Sequence, residues 1–280
     1  MQLNLILQFF AHYIETQLGI VYAEHNYFQL ENRLEEIAKL LGVPNVEKLF
    51  EQAQVGIHGA FRQLLLDVAT NNETSFFRDP RVFTAIENCV IPDFLQKARP
   101  DETFRIWSAA ASTGQEALSL AMLIEEHQTK KFQKFKYSIL STDISERVLA
   151  RANSGEYSQL EVQRGLPAPM LIKYFTKGDQ DRWTASPDLR NKIRFQKQNL
   201  KESFPFSAPY NLILCRNVLI YQSIESKIEI LKRITETLVP GGFLILGSGE
   251  SLMGLTTDYE QTGVDGAVIY RRRENLALAA

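Results

Sequence analysis

Residues 105–122 read RIWSAAASTGQEALSLAM, a strand that runs into a turn of small residues and then a helix. Arg105–Ala109 is short and apolar, as a strand buried beneath helices is. Ala110–Gly114 carries only small side chains, which let the backbone approach a ligand closely. From Glu116 onward Leu118, Met122 and Leu123 recur at helical spacing. A strand, a tight turn and a helix N-terminus build the ligand crevice of an open α/β sheet. The turn alone is not diagnostic: it holds one glycine where a dinucleotide fingerprint holds three, and an ordinary strand-to-helix connection explains it equally.

The next strand, Tyr137–Thr142 (YSILST), ends on Asp143. A carboxylate at the tip of a second strand can accept hydrogen bonds from both hydroxyls of a ribose. Asp is also a favoured N-cap, and the helix ISERVLARA begins here, so the residue reads as a ribose acceptor, as a cap, or as both. Tyr210–Leu214 (YNLIL) leads as a strand into Cys215-Arg216-Asn217. Ile224–Leu238 is an amphipathic helix closed by Pro240-Gly241-Gly242, and Phe243–Gly247 is a further strand. Ala267–Tyr270, followed by three arginines, reads as a last strand near the edge. Strands alternating with helices predict an α/β fold with a doubly wound, mostly parallel sheet. The turn, Asp143 and Arg216-Asn217 then lie at the carboxyl ends of the strands, where such sheets bind ligands.

The 280-residue chain is 45% hydrophobic and 23% charged, with a formal net charge of −2. These are the values of an ordinary globular protein with ample core. The charge balance gives no electrostatic footprint for nucleic acid or an anionic membrane. The opening MQLNLILQFFAHYIETQLGI is interrupted by Gln8, His12 and Glu15 and has no basic n-region, so it predicts an amphipathic helix and not a signal peptide or membrane span. Cys89 and Cys215 lie far apart, and the four histidines form no ligand pair. No metal site is expected, and the cysteines are expected as buried thiols in a reducing compartment.

Residues 1–66 hold helical patterns punctuated by Gly19, Gly42-Val43-Pro44 and Gly56, which predicts a small all-helical N-terminal domain. Phe28, Leu30, Leu34, Ile37 and Leu41 form an apolar stripe there. Residues 67–95 contain TNNETSFFRDP, in which turn-favouring residues precede Phe76-Phe77, a pair that must bury. The segment reads either as a packed hinge or as a cover over a ligand, with Arg78 holding a carboxylate. Residues 96–280 carry the sheet.

NNETSFFRDP, WSAAASTGQEALSLAM, STDIS with VLARANSGEY, CRNVLIY and LVPGGFLILGSGESL occur in this order. Together they resemble the CheR family of chemotaxis receptor methyltransferases over nearly the whole chain, with NETSFFRDP and CRNVLIY the most specific. The resemblance implies a Rossmann-like sheet of the class I methyltransferase type with an antiparallel last strand. It also implies a small antiparallel β-subdomain at about 171–198, with strands around Tyr174, Trp183 and Ile193. Its activity would be methyl transfer from S-adenosylmethionine to glutamate side chains in the cytoplasmic helical domain of chemoreceptors, giving γ-glutamyl methyl esters and S-adenosylhomocysteine. Such an enzyme would be cytoplasmic, not membrane-inserted, monomeric and without nucleic-acid partners.

Carried over by position, Asn72, Thr74 and Arg78 would contact the methionyl portion of the cofactor and Glu116 its amino acid end. Asp143 would take the ribose hydroxyls, and Asn199 and Leu200 would flank the adenine. Arg216 and Asn217 would join the cofactor site after the fourth strand, with Tyr221 facing the transferred methyl. Arg78 and Tyr221 are the catalytic candidates, although outside the CRNVLIY context Tyr221 reads equally as an amphipathic core tyrosine. A glutamate carboxylate, with a pKa of about 4.3, is already an anion at neutral pH and needs no general base. Catalysis then reduces to alignment, with Arg78 or Arg216 orienting the carboxylate through a forked pair.

Two departures from the family stand out. Members often carry a basic helix facing the receptor, whereas NYFQLENRLEEIAKLL holds only Arg33 and Lys39. Members that bind a C-terminal receptor pentapeptide resemble one another in a glycine-containing loop extension; Phe175–Leu189 is compact, with Gly178 its single glycine, and predicts independence from that tether. A nucleic-acid methyltransferase on the same fold would show basic stripes or base-stacking residues. A third reading is an adaptor that binds the cofactor without chemistry.

Overall fold

The computed structural model describes residues 2–206 and 208–274, so the expected domain limits at 1 and 280 lie outside the described residues. The N-terminal helices are α1 (Gln2–Leu18), α2 (Tyr27–Leu41), α3 (Val46–Val55) and α4 (Gly59–Ala69). They enclose a core that includes Phe10, Ile14, Leu34, Ile37, Leu49 and Leu65. In α2 the buried residues are Leu30, Leu34, Ile37 and Ala38, one continuous helical face. Phe28, expected in that stripe, is 59% exposed. It lies two residues before Leu30, about 200° around the helix and so on the opposite side. Asn45 caps α3 by accepting from Lys48 N at 2.9 Å.

The strands are β1 (Thr103–Ala109), β2 (Lys136–Asp143), β3 (Glu156–Ser158), β4 (Phe175–Lys177), β5 (Arg182–Ala185), β6 (Ile193–Lys197), β7 (Tyr210–Cys215), β8 (Leu238–Leu246), β9 (Tyr259–Val264) and β10 (Ala267–Arg272). Among the described residues seven of them form one sheet in the order β6-β2-β1-β7-β8-β10-β9. Pairings from β6 through β8 are parallel, and β10 is antiparallel to both β8 and β9. This is the Rossmann-like sheet with an antiparallel last strand that the sequence resemblance implies. From β1 the chain winds outward through β2 to β6, then returns to β7 on the other side. The crevice at that reversal is where an open sheet binds ligands. The later helices are α5 (Pro80–Ala85), α6 (Ile91–Lys97), α7 (Gln115–Lys131), α8 (Glu146–Ser154), α9 (Gln159–Gln163), α10 (Ala168–Tyr174), α11 (Pro187–Arg190) and α12 (Ile224–Thr237). Trp107 of β1 is fully buried, and its Nε1 donates to Thr142 Oγ1 at 2.9 Å. Among the described residues no helix is long and apolar enough to cross a membrane.

Three expectations need correction. The small antiparallel sheet is β3-β5-β4, so it begins at Glu156 and not near residue 171. Ile193–Lys197, expected in that subdomain, instead pairs in parallel with β2 at the rim of the large sheet. Pro240-Gly241-Gly242 does not separate helix from strand: β8 starts at Leu238. Its register with β7 shifts between the pairs Tyr210–Leu238 and Leu212–Phe243, so the glycines form a bulge. Finally, β9 (YEQTGV) had no sequence expectation, because a rim strand paired on one side and exposed along most of its length carries no apolar alternation.

Candidate functional site

The turn after β1 is wound tightly. Ala110 (φ 55°), Ser112 (φ 51°) and Gly114 (φ 90°) are all left-handed, two of them without being glycine. Such backbone persists only where surrounding bonds enforce it. Here Ala111 N donates to Thr142 O at 2.8 Å, Ser112 N donates to Asp143 Oδ2 at 2.9 Å, and Tyr157 Oη donates to Thr113 O at 2.8 Å. A side chain at Gly114 would lie 3.0 Å from Ala152 Cβ and 3.1 Å from Phe195 Cζ, so φ favours glycine there and the space beside it is tight.

Asp143 is 5% exposed. Its Oδ1 accepts from Ser145 N at 3.0 Å, and the N-cap of α8 is Ser145, whose hydroxyl accepts from Val148 N at 3.3 Å. The cap reading of Asp143 is therefore wrong: the carboxylate ties the β1 turn to the β2 turn. Burial pushes its carboxyl pKa above the ordinary range, although backbone N–H groups of Ser145, Ser112 and Ile144 pull the other way.

Across the crevice Arg216 Nη1 binds Glu116 Oε2 at 2.9 Å, and Nη2 donates to Arg78 O at 2.7 Å. Ser108 Oγ donates to the other Glu116 oxygen at 2.8 Å. Arg216 Nε is buried with no hydrogen-bond partner among the described residues. Each terminal nitrogen of Arg216 thus makes one bond within the protein, which fixes the guanidinium at the cleft wall. Arg78 donates through Nη1 to Glu73 O at 2.9 Å and remains half-buried at the cleft.

The structure brings all ten sequence-predicted residues to one cleft: Asn72, Thr74, Arg78, Glu116, Asp143, Asn199, Leu200, Arg216, Asn217 and Tyr221 all line it. Asn199 arrives with its side chain already committed, donating to Gln17 O at 2.9 Å and accepting from Lys201 N at 3.0 Å. Residues that sequence reasoning missed include Leu18 and Ile20, which bring the helical domain onto the cleft, with Ile144, Gln198 and Gln222. The helical domain is fastened there: Val21 N donates to Tyr221 O at 2.9 Å and Ser223 N donates to Gly19 O at 3.1 Å. Only a tertiary contact reveals these residues. Ser112, whose hydroxyl donates to Asn72 O at 2.6 Å, lay within the quoted turn.

A cleft at the reversal of an open α/β sheet, with a buried carboxylate at the β2 tip, is the arrangement expected of an S-adenosylmethionine-dependent methyltransferase. The profile described as "CheR methyltransferase, SAM binding domain" matches residues 72–268. Chemotaxis protein methyltransferase Cher2 of Pseudomonas putida is 35% identical over 272 residues, covering 96% of this chain and 98% of that protein. Chemotaxis protein methyltransferase 1 of Pseudomonas aeruginosa gives the same identity and coverage, and the Vibrio parahaemolyticus chemotaxis protein methyltransferase is 34% identical over 94% of each chain. The chain belongs to the CheR methyltransferase family. Its methyl donor is S-adenosylmethionine, and the residues present fit it: Arg216 Nε lacks a partner and Asp143 presents a buried acceptor pair.

Proposed function

We propose that this enzyme methylates glutamate carboxylates on the cytoplasmic helical domain of chemoreceptors, giving glutamyl methyl esters. The observation that carries the reading is the convergence of NETSFFR, the β1 turn, Asp143 and CRNVLIY on one cleft. The full-length likeness to chemotaxis protein methyltransferases supports it. When bound, S-adenosylmethionine supplies a methyl group activated on a sulfonium. The chain's own residues bind and align. Asp143 accepts the ribose hydroxyls, Arg78 and Arg216 Nε receive the methionyl carboxylate, and Glu116 holds Arg216 in place while facing the amino end. Asn72 and Thr74 complete the methionyl side, Leu200 and Asn199 the adenine side, and Asn217 the floor beneath the transfer point.

Tyr221 stands at the mouth of the cleft, 37% exposed, and its hydroxyl accepts from Asn71 Nδ2 at 2.9 Å. With that lone pair used, its own proton is free to reach an acceptor carboxylate, and the ring face favours a cation by about 0.5–2 kcal/mol. An acceptor carboxylate, already an anion, would need no general base, and its alignment by these residues could contribute roughly 7–11 kcal/mol. Tyr221→Phe is expected to leave cofactor affinity nearly unchanged and to lower turnover. Arg78→Ala is expected to weaken cofactor binding. Calorimetry and single-turnover transfer separate the two; equal loss of binding in both variants contradicts this division.

The ribose role of Asp143 has a pH signature. Accepted hydroxyl protons favour the ionised carboxylate, whereas burial raises the pKa of the free form. Cofactor affinity should therefore fall as pH drops through that raised value, and Asp143→Asn should flatten this dependence. Titration calorimetry at several pH values checks it.

Acceptor recognition does not run through a basic α2. Arg33, one of its two basic residues, is turned inward, donating to Tyr22 Oη at 2.8 Å and Val68 O at 2.7 Å. The β4–β5 connection is a tight hairpin, with Gly178 N donating to Arg182 O at 2.8 Å. This supports direct recognition of the methylation helices without a pentapeptide tether. Methylating one receptor with and without its C-terminal tail tests this: equal rates are expected, and loss of labelling with the tail contradicts it. Offering DNA and RNA in parallel tests the acceptor class, with transfer to the receptor alone expected.

A further inference from the structure

The GSGESL end of LVPGGFLILGSGESL has no part in the cleft lining, yet its Glu250 carboxylate gathers four backbone N–H groups. Oε2 accepts from Gly247 N at 2.7 Å and Asn217 N at 2.8 Å; Oε1 accepts from Val218 N at 2.9 Å and Ile220 N at 3.1 Å. Three of these donors lie in the segment that carries the chain from β7 to Tyr221. Within that segment Tyr221 N donates to Val218 O at 3.2 Å, while the amides of Asn217, Val218 and Ile220 go to Glu250. Asn217 is left-handed (φ 59°), Val218 sits at φ −124°, ψ −48°, and a single short turn, Leu219–Tyr221, follows. Successive amides in such mixed conformations converge into a concavity that accommodates an anion. Here the anion is a side chain of the same protein. Bonds to a carboxylate are roughly twice as strong as neutral ones.

Packing at Gly247 points the same way. A Cβ there would lie 2.6 Å from Asn217 Nδ2 and 2.8 Å from both Asn217 N and Glu250 Oε2. Strand end, carboxylate and loop are fitted together without room for a methyl group.

We propose that Glu250 is a positioning residue for methyl transfer: by collecting the amides of Asn217, Val218 and Ile220 it sets where Asn217 and Tyr221 stand, without itself touching the cleft. The proposal rests on the reading that this cleft serves a receptor acceptor. Turnover depends on Glu250 more than cofactor binding does, because Asp143, Glu116 and Arg78 hold the cofactor from other segments.

The test uses the full chain carrying Glu250→Gln, which keeps the shape but turns an NH2 group toward two of the amides. Turnover on the receptor should drop at least about tenfold while cofactor affinity stays within about threefold, with one cooperative unfolding transition retained. The amides of Asn217, Val218, Ile220 and Gly247 should exchange with solvent at least about tenfold faster. Gly247→Ala, which crowds the loop and leaves the carboxylate in place, should show the same split between turnover and binding. Unchanged amide exchange, unchanged turnover, or turnover and cofactor affinity falling together would overturn the proposal. If the wild-type enzyme labels no receptor at all, the acceptor reading fails, and amide exchange by itself then decides whether Glu250 holds the loop.

Discussion

Arg216→Ala is expected to cost about 3–5 kcal/mol of stability and most of the cofactor affinity. The guanidinium is 3% exposed and its partner Glu116 14% exposed, so neither charge leans on solvent. Removing Arg216 strands the Glu116 carboxylate with only the Ser108 hydroxyl as neighbour and leaves the Arg78 carbonyl without its donor. Both partners flank the turn–helix junction and the β7 tip, so the crevice loses its brace together with the Nε donor. The double variant Glu116→Gln, Arg216→Met should recover much of the stability but not the binding, because two buried charges leave together. Urea unfolding of the wild type, Glu116→Gln, Arg216→Met and the double variant measures the coupling; simple additivity of the single costs contradicts it.

Asp143→Ala should have the next largest effect, and on two quantities at once. It strands two buried backbone donors, Ser112 N and Ser145 N, at about 1–3 kcal/mol each. It also frees the left-handed Ala110 and Ser112 to relax. Loss of one or two charge-assisted bonds to the ribose, about 1.5–3 kcal/mol each, predicts at least a tenfold fall in cofactor affinity. Calorimetry and thermal unfolding read the two losses separately. Unchanged affinity contradicts the ribose role, and unchanged stability contradicts the role in the turn.

Much of the fold was legible from residue patterns. Buried strands of a doubly wound sheet are continuous apolar runs, so YSILST, YNLIL and FLILG stood out, and turn chemistry marked the segment from Ala110 and Asp143, which the structure places at the cleft. Where the pattern failed, packing explains why. β9 is exposed on most of its length and has no alternation to read. Ile193–Lys197 (IRFQK) is short and half-polar, so nothing local separates the rim of the large sheet from a place in the small one. The cap role of Asp143 could be set aside only once Ser145 was seen at the N-cap position. Ile20 and Glu250 act across long stretches of chain, through contacts to Gln222 and to the loop before Tyr221 that no spacing rule encodes.

The most direct measurement of the central claim is the chemistry of the transferred group. The enzyme is incubated with S-adenosylmethionine labelled in its methyl group and a purified chemoreceptor cytoplasmic domain, and the labelled receptor is then treated with mild alkali. Attachment to a glutamate oxygen predicts label on the receptor that is released as volatile methanol, and no label once the accepting glutamates are replaced by alanine. Label that resists alkali, or that persists without those glutamates, would contradict the account.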